Sequence, residues 1–249
     1  EKRKGEGQGM TEYATDNNWV AVAGKVSTAL SFSHEMYGEG FYGFTLSVPR
    51  LSEYVDRLPV IVSERLIGEI DLNIGAEIVV EGQFRSYNKF TEGTNRLVLT
   101  VFAREISNRM EEVKNPNQIF LNGFLCKAPI YRTTPFKREI ADLLVAVNRS
   151  YNKSDYIPAI AWGRNARFCQ KLTVGDNLKI WGRIQSREYQ KRYSSGEVVE
   201  KVAYEVSVSK MEIAREDDEG GKETPERTES EPTDRQDPSE PMESRIRRA

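Results

Sequence analysis

Between Tyr151 and Arg192 the chain mixes aromatic rings with cations: Tyr151, Tyr156, Trp162, Arg164, Trp181, Arg183, Arg187, Tyr189, Lys191 and Arg192. Arg132 and Arg149 extend the set upstream. The mixture suits single-stranded nucleic acid, whose bases are free to stack. Each base on an aromatic ring contributes about 1–3 kcal/mol with little sequence preference. Cations neutralise the phosphates, and that attraction falls as salt rises. Spacing agrees with this chemistry. Tyr156 and Trp162 are six residues apart, so on one strand they share a face. They would sit roughly 20 Å apart at about 3.3 Å per residue. Along 178–189, Leu178, Ile180 and Ile184 define an apolar face, and the opposite face carries Lys179, Trp181, Arg183, Arg187 and Tyr189. Trp181 stands between Ile180 and Gly182, where a subunit contact fits as well as a base contact.

The elements that position these residues emerge from a self-comparison. Gly75, Gly82 and Ser86 recur as Gly175, Gly182 and Ser186, and Gly24 and Pro59 recur 99 residues on as Gly123 and Pro158. An internal repeat sets the domain organisation. It predicts domain 1 at 17–108, a charged joint at 109–115 and domain 2 at 116–214. The leader 1–16 is charged and Gly-rich, with Met10 as a candidate first residue, and carries no expected fold role. Residues 215–249 are rich in Glu, Pro, Ser, Thr and Arg, a composition too polar to offset the entropy of ordering. Within each repeat the apolar residues alternate, as in Tyr42, Phe44, Leu46 and Val48, which marks half-buried strands. Strands are expected at 118–125, 140–147, 156–162 and 202–208, with a helix at 164–172 ending before Gly175. Five strands with a helix between the third and fourth is the layout of the OB-fold, a small Greek-key barrel. The fold class is therefore mainly all-β, as two tandem OB-fold barrels. A seven-stranded immunoglobulin-like sandwich is the alternative. Apolar content on both faces of 140–147 suggests that this strand lies in a buried pairing sheet.

Charge separates the copies. Residues 16–108 hold 8 Lys+Arg and 12 Asp+Glu, whereas 115–214 hold 16 and 9, inside a chain of formal net charge −2. One basic module is hidden in a near-neutral total. Cys126 and Cys169 lack metal-ligand spacing and read as reduced thiols. His34 lies in a polar stretch. With no nucleophile elbow, phosphate loop or paired-carboxylate motif, the expected protein is not an enzyme and needs no cofactor or metal. No apolar run reaches the roughly 18 residues of a membrane span, so the expected location is the cytoplasm, with the nucleoid.

Repeat 2 resembles the bacterial single-stranded DNA-binding protein family. The resemblance rests on Gln118-Ile-Phe-Leu-Asn-Gly123, on Tyr131-Arg132, on Ala146-Val-Asn148-Arg149, and on Asp155-Tyr156-Ile-Pro158-Ala-Ile-Ala-Trp162-Gly163-Arg-Asn-Ala166. It continues through Gly182-Arg-Ile-Gln-Ser-Arg187-Glu-Tyr189 and Ala203-Tyr-Glu205-Val. It implies base stacking on Tyr151, Tyr156, Trp162 and Tyr189, and backbone contacts from Arg132, Arg149, Arg164, Arg183, Arg187, Lys191 and Arg192. Repeat 1 carries the resemblance only through the internal repeat. Ser63 stands opposite Trp162, Tyr54 roughly matches Tyr156, and Tyr87 to Phe90 roughly matches 187–191. A weaker second site is therefore expected at Tyr54, Tyr87, Lys89 and Phe90. The family's acidic tail tip, which recruits replication and repair proteins, is replaced here by Arg245-Ile-Arg247-Arg248-Ala249, and a basic tip cannot reproduce its contacts.

The expected function is to bind single-stranded DNA without strong sequence preference, protecting exposed strands in replication, recombination or repair. The family usually assembles four barrels, which implies a homodimer of this two-barrel chain. Two other readings stay open: an OB-fold interaction scaffold in a primosome-like or DNA-transfer complex, and an RNA chaperone, since stacking does not report the sugar.

Overall fold

Alternating apolar residues build matching sets of strands in the two repeats. The first holds β1 (Asn18–Val26), β2 (Ser31–Met36), β3 (Glu39–Pro49), β4 (Val55–Ser63), α1 (Glu64–Ile67), β5 (Glu77–Thr91) and β6 (Thr94–Ser107). The second holds β7 (Asn117–Leu125), β8 (Ile130–Thr133), β9 (Glu139–Arg149), β10 (Lys153–Trp162), α2 (Arg164–Cys169), β11 (Asn177–Arg192) and β12 (Val198–Ile213). This computed structural model describes residues 17–68, 70–91, 94–192, 196 and 198–214. The leader 1–16 and the whole of 215–249, basic tip included, lie outside the described residues.

Each repeat closes into a five-stranded barrel. In the first, β1 meets β3 through Val26 and Leu46, and β4 runs parallel to β6 through Val60 and Val101. In the second, β7 meets β9 through Leu125 and Val145, and β10 runs parallel to β12 through Ala159 and Val206. The inward residues Val22, Leu46, Leu58, Ile78 and Phe84 are buried, as are Leu121, Val145, Ile157, Leu178 and Ile184. Full burial of side chains this large stabilises by about 1.5–3 kcal/mol each.

The repeated landmarks have physical causes. Gly82 and Gly182 sit at β-bulges, where an added Cβ would run into the carbonyls of Phe102 and Ser207. Gly75 and Gly175 have φ of +95° and +97°, which a β-carbon disfavours. Asn18 and Asn117, also 99 apart, are buried clamps. The Asn18 amide donates to Phe84 O (2.8 Å) and its oxygen accepts from Phe84 N (2.9 Å). Asn117 does the same with Ile184, at 2.7 and 2.8 Å. Each amide both donates and accepts, which offsets the cost of taking it out of water.

Several expectations change in detail. β2 and β8 are extra strands hydrogen-bonded to β3 and β9. The expected helix 164–172 stops at Cys169, and main-chain bonds spanning three residues carry the turn on to Leu172 N, which donates to Cys169 O. The strand expected at 202–208 runs from Val198 to Ile213. Its outer half is half-exposed, and a main-chain ladder can extend a hairpin past the core without apolar alternation.

The largest correction concerns pairing between the barrels. The strand 140–147 does not provide it: β9 is engaged by β10, β8 and β7 of its own barrel. Instead β1 and β7 pair antiparallel, with Trp19 opposite Phe120 and Val20 opposite Ile119. The result is a continuous central run, β6-β5-β1-β7-β11-β12, inside one twelve-stranded sheet. Two main-chain bonds close its margins, Asn122 N to Asn17 O and Ala23 N to Pro116 O, both 2.8 Å. Apolar content reports which faces are covered, but strand pairing uses edges, which side-chain pattern does not mark. Within the joint 109–115, Met110–Glu112 forms a 3-10 turn. Among the described residues no helix is long and apolar enough to cross a membrane.

Candidate nucleic-acid interface

β10 carries the aromatic platform. Ile157, Ala159 and Ala161 point into the barrel and are buried, while Tyr156 and Trp162 remain 46% and 39% exposed on the other face. Their cross-strand partners on β9 are Ala146 and Ile140, small or apolar residues that leave the rings uncovered. Tyr151 stands at the tip of the β9–β10 hairpin, 94% exposed. Tyr151 and Asn152 both have positive φ, 62° and 54°, the conformation of tight hairpin turns. Tyr189 lies far out on β11, 38% exposed, with the Arg187 guanidinium 6.0 Å from its ring centroid.

The expected cations fall into three groups. Arg164, at the start of α2, and Arg192, near the end of β11, are exposed. Arg132 and Arg187 are exposed but paired, Arg132 at two points with Asp142, Nε to Oδ2 at 2.9 Å and Nη2 to Oδ1 at 3.4 Å, and Arg187 more loosely, its Nε 3.9 Å from Glu205. Both arginines keep more than half of their side-chain surface open to solvent, so these pairs do not bury them. Arg149 and Arg183, by contrast, are drawn inward against buried aspartates, Arg149 Nε 3.2 Å from Asp155 and Arg183 Nη1 3.4 Å from Asp56. The side chain of Lys191 lies outside the described residues.

Those aspartates mark contacts that repeat-by-repeat reading missed. At one junction, β10 of the second barrel meets β5 of the first. Ser86 N donates to Asp155 Oδ1 (2.6 Å), and Tyr156 N donates to Ser86 Oγ (2.7 Å). At the twin junction, β4 of the first barrel meets β11 of the second. Ser186 N donates to Asp56 Oδ1 (2.7 Å), and Arg57 N donates to Ser186 Oγ (3.1 Å). The signal was present in the sequence: Ser86 and Ser186 were landmarks of the repeat, and Asp56 and Asp155 share its 99-residue offset. What it lacked was the crossing of each lock from one barrel to the other.

The two junctions differ electrostatically. Arg50 grips Asp56 at two points, Nε to Oδ2 at 2.8 Å and Nη2 to Oδ1 at 2.6 Å. That hydrogen bonding raises the Arg50 pKa above its ordinary value. Arg149 and Asp155 are close but misaligned, and neither Arg149 Nε nor Asp155 Oδ2 has a hydrogen-bond partner. Burial therefore dominates and pushes the Asp155 carboxyl above the usual range, against the opposing pull of the Ser86 N–H and Arg149. Burial also lowers Arg85 and Arg183, helped by the neighbouring charges of Arg149 and Arg50 respectively.

The first barrel presents a different surface. Strand register aligns Arg57, not Tyr54, with Tyr156, because Val48 pairs with Asp56 as Val147 pairs with Asp155. Tyr54 takes the place of Lys153, is 72% exposed and lies near the Arg50 guanidinium. Ser63 occupies the place of Trp162. Its hydroxyl donates to Glu39, which also accepts from Arg65 Nε (2.8 Å). These bonds hold the Glu39 carboxyl below its usual range. Tyr87 and Phe90, 47% and 70% exposed, project from the arm of β5, with Lys89 exposed between them. Tyr87 follows Ser86 and so lies beside the second barrel's Tyr156. Bond lengths and the 2.7 Å hydrogen bond keep their Cα atoms within roughly 11 Å of each other.

Comparison with known proteins agrees with this architecture. The model of the single-strand binding protein family matches residues 116–214. Single-stranded DNA-binding protein B of Bacillus subtilis is 34% identical over 84 residues, covering 30% of this chain and 72% of the relative. The single-stranded DNA-binding protein of Clostridium tetani is 33% identical over 100 residues, covering 35% and 69%. The crystal structure of wild-type single-stranded DNA binding protein from Thermus aquaticus superposes with a TM-score of 0.62 at 21% identity, covering 83% of this chain and 96% of that one. That last likeness is one of fold, and its coverage takes in both barrels.

Proposed function

The chain belongs to the single-strand binding protein family, and from that premise we propose that it coats single-stranded DNA by stacking bases on β10 and its neighbours. Tyr156 and Trp162 are the central platform, with Tyr151 and Tyr189 at its ends. Arg132, Arg164, Arg187, Lys191 and Arg192 neutralise the phosphates, and Arg149 and Arg183 add charge from the junctions. The role is non-enzymatic and shields exposed strands during replication, recombination or repair. Tyr87, Lys89 and Phe90 form a weaker extension on the first barrel, with Tyr54 further along.

A single observation carries the reading. Two large aromatics stay exposed on one face of a barrel strand whose other face is buried, in the half of the chain where cations outnumber anions. Open rings beside cations suit a single strand, whose bases stack on the rings while its phosphates meet the cations.

A second copy of the chain is the proposed partner for the outer face of the central sheet. There Phe120 packs on Trp181, with ring centroids 5.2 Å apart, and Lys210 Nζ lies 4.4 Å from the Trp181 centroid. Pairing two copies through this face would bring four barrels together.

The test is quenching of tryptophan fluorescence by oligo(dT), at low and high salt, for wild type and Trp162→Ala. Deep, salt-sensitive quenching that is largely lost in the variant supports the proposal. Binding unaffected by the substitution would favour the interaction-scaffold reading. A parallel titration with oligo(U) separates DNA from RNA preference.

A further inference from the structure

We infer that the first barrel positions the second barrel's stacking platform, and that Ser86 is the positioning residue. The inference rests on the proposed role of Tyr156. Ser86 belongs to the acidic barrel and is buried. Its N–H and hydroxyl oxygen engage consecutive residues of β10, Asp155 at 2.6 Å and Tyr156 at 2.7 Å. At residues 159 and 160, β10 pairs with β12 of its own barrel, Ala159 with Val206 and Ile160 with Ser207. At Tyr156 that neighbour is absent from the pairing register, and β5 of the other barrel takes its place.

The segment of β10 bearing Tyr156 is thus held on one side by β9 and on the other by Ser86. Without the Ser86 hydroxyl, the Tyr156 N–H loses its acceptor and the strand can shift away from β5. A ring that must meet a base face-on is sensitive to such a shift, because stacking falls off steeply with tilt and offset.

The twin junction supplies an internal control. Ser186 holds Arg57 through the same bond, Arg57 N to Ser186 Oγ at 3.1 Å. Yet Arg57 is no stacking residue, so loss of that bond disturbs no ring. A contribution of this lock to fold alone would make the two serines equivalent. A contribution to positioning separates them.

The experiment compares Ser86→Ala with Ser186→Ala in the full chain, measuring oligo(dT) affinity and thermal unfolding. Both are expected to lower the melting temperature, as each removes a hydroxyl acceptor at a junction, and Ser186→Ala at least as much, because Ser186 Oγ also donates to Asp56 Oδ1 at 3.3 Å. Ser86→Ala is expected to weaken oligo(dT) binding about fivefold, the scale of one lost hydrogen bond. Ser186→Ala should change it less than twofold, and Ser86→Thr, which keeps the hydroxyl, should restore most of the affinity. In a Tyr156→Ala background, Ser86→Ala should then cost nothing further in binding, since no ring is left to position. Equal affinity losses for the two serines, or a full Ser86 effect in the Tyr156→Ala background, would overturn the inference while leaving stacking intact. If Tyr156→Ala itself leaves affinity unchanged, the stacking role of Tyr156 fails, and the inference with it.

Discussion

The two junctions between the barrels share a skeleton and differ in what they hold. Each locks a serine of one barrel's fourth strand to an aspartate of the other barrel's third, Ser86 to Asp155 and Ser186 to Asp56. Beyond the aspartate stands Tyr156 at one junction and Arg57 at the other. Six residues further on stand Trp162 and Ser63. The same scaffold therefore presents rings on the basic barrel, and a guanidinium with a hydroxyl–carboxylate cluster on the acidic one. The comparison teaches that the outward positions of a repeated strand are free to diverge, because packing constrains only the inward ones. Each barrel's third strand also accepts hydrogen bonds from, and donates them to, a serine of the other barrel.

The largest effect is expected from Gly82→Ala and Gly182→Ala, where the new methyl group meets a carbonyl of the neighbouring strand. Each should destabilise by more than about 3 kcal/mol in denaturant unfolding. Similar losses would confirm that the barrels are equivalent in their frames. Next comes Trp162→Ala, expected to weaken oligo(dT) binding by about 1–3 kcal/mol, roughly 5- to 150-fold. Phe90→Ala on the acidic barrel should cost clearly less, and an equal cost would erase the proposed asymmetry.

The junction aspartates should differ as well. Asp56→Asn breaks a two-point ion pair with Arg50 and should cost about 1–3 kcal/mol of stability. Asp155→Asn should cost less at neutral pH, because burial already disfavours the charge there. An acid whose folded pKa is raised favours the folded state when protonated. Its contribution is present below the ordinary value of 3.8 and is lost as pH rises through the raised folded value. Wild type should therefore lose stability relative to Asp155→Asn over that rise, readable as a pH-dependent gap in melting temperature. A gap of the opposite sign would mean that Arg149 compensates the charge after all. The smallest effect is expected from Arg187→Ala. It should flatten the salt dependence of oligo(dT) binding by about 0.7 in log–log slope, one phosphate contact on a single strand, and leave the melting temperature nearly unchanged.

Much of the fold was legible because a barrel leaves periodic marks. Alternation showed Phe44, Leu46 and Val48 facing inward, and the glycines recur because positive φ disfavours a β-carbon at 75 and 175 and a neighbouring carbonyl blocks one at 82 and 182. Of the candidate site, Tyr156 and Trp162 were placed on one face by counting, and both are exposed there. Tyr54 was matched to Tyr156 by residue type, but strand register puts Arg57 in that place. Arg149 and Arg183 read as backbone-contacting cations: Asp155 lies on the same hairpin as Arg149, but nothing in the spacing marks it as buried, and the partner of Arg183 is not local at all. Asp56 reaches Arg183 across 127 positions, and spacing rules extend only over a turn or a hairpin.

The repeat, the five-strand layout with its helix, the inward faces and the segregation of charge can all be read from the residues alone. Each is written in local periodicity or in composition, which short-range sterics and burial translate directly. Only the tertiary structure decided that β1 and β7, rather than β9, join the barrels, and that each barrel's third strand is locked by the other's arm. Those outcomes depend on which edges remain unpaired once both barrels have closed. Edge availability belongs to the closed sheet as a whole, and no window of residues contains it.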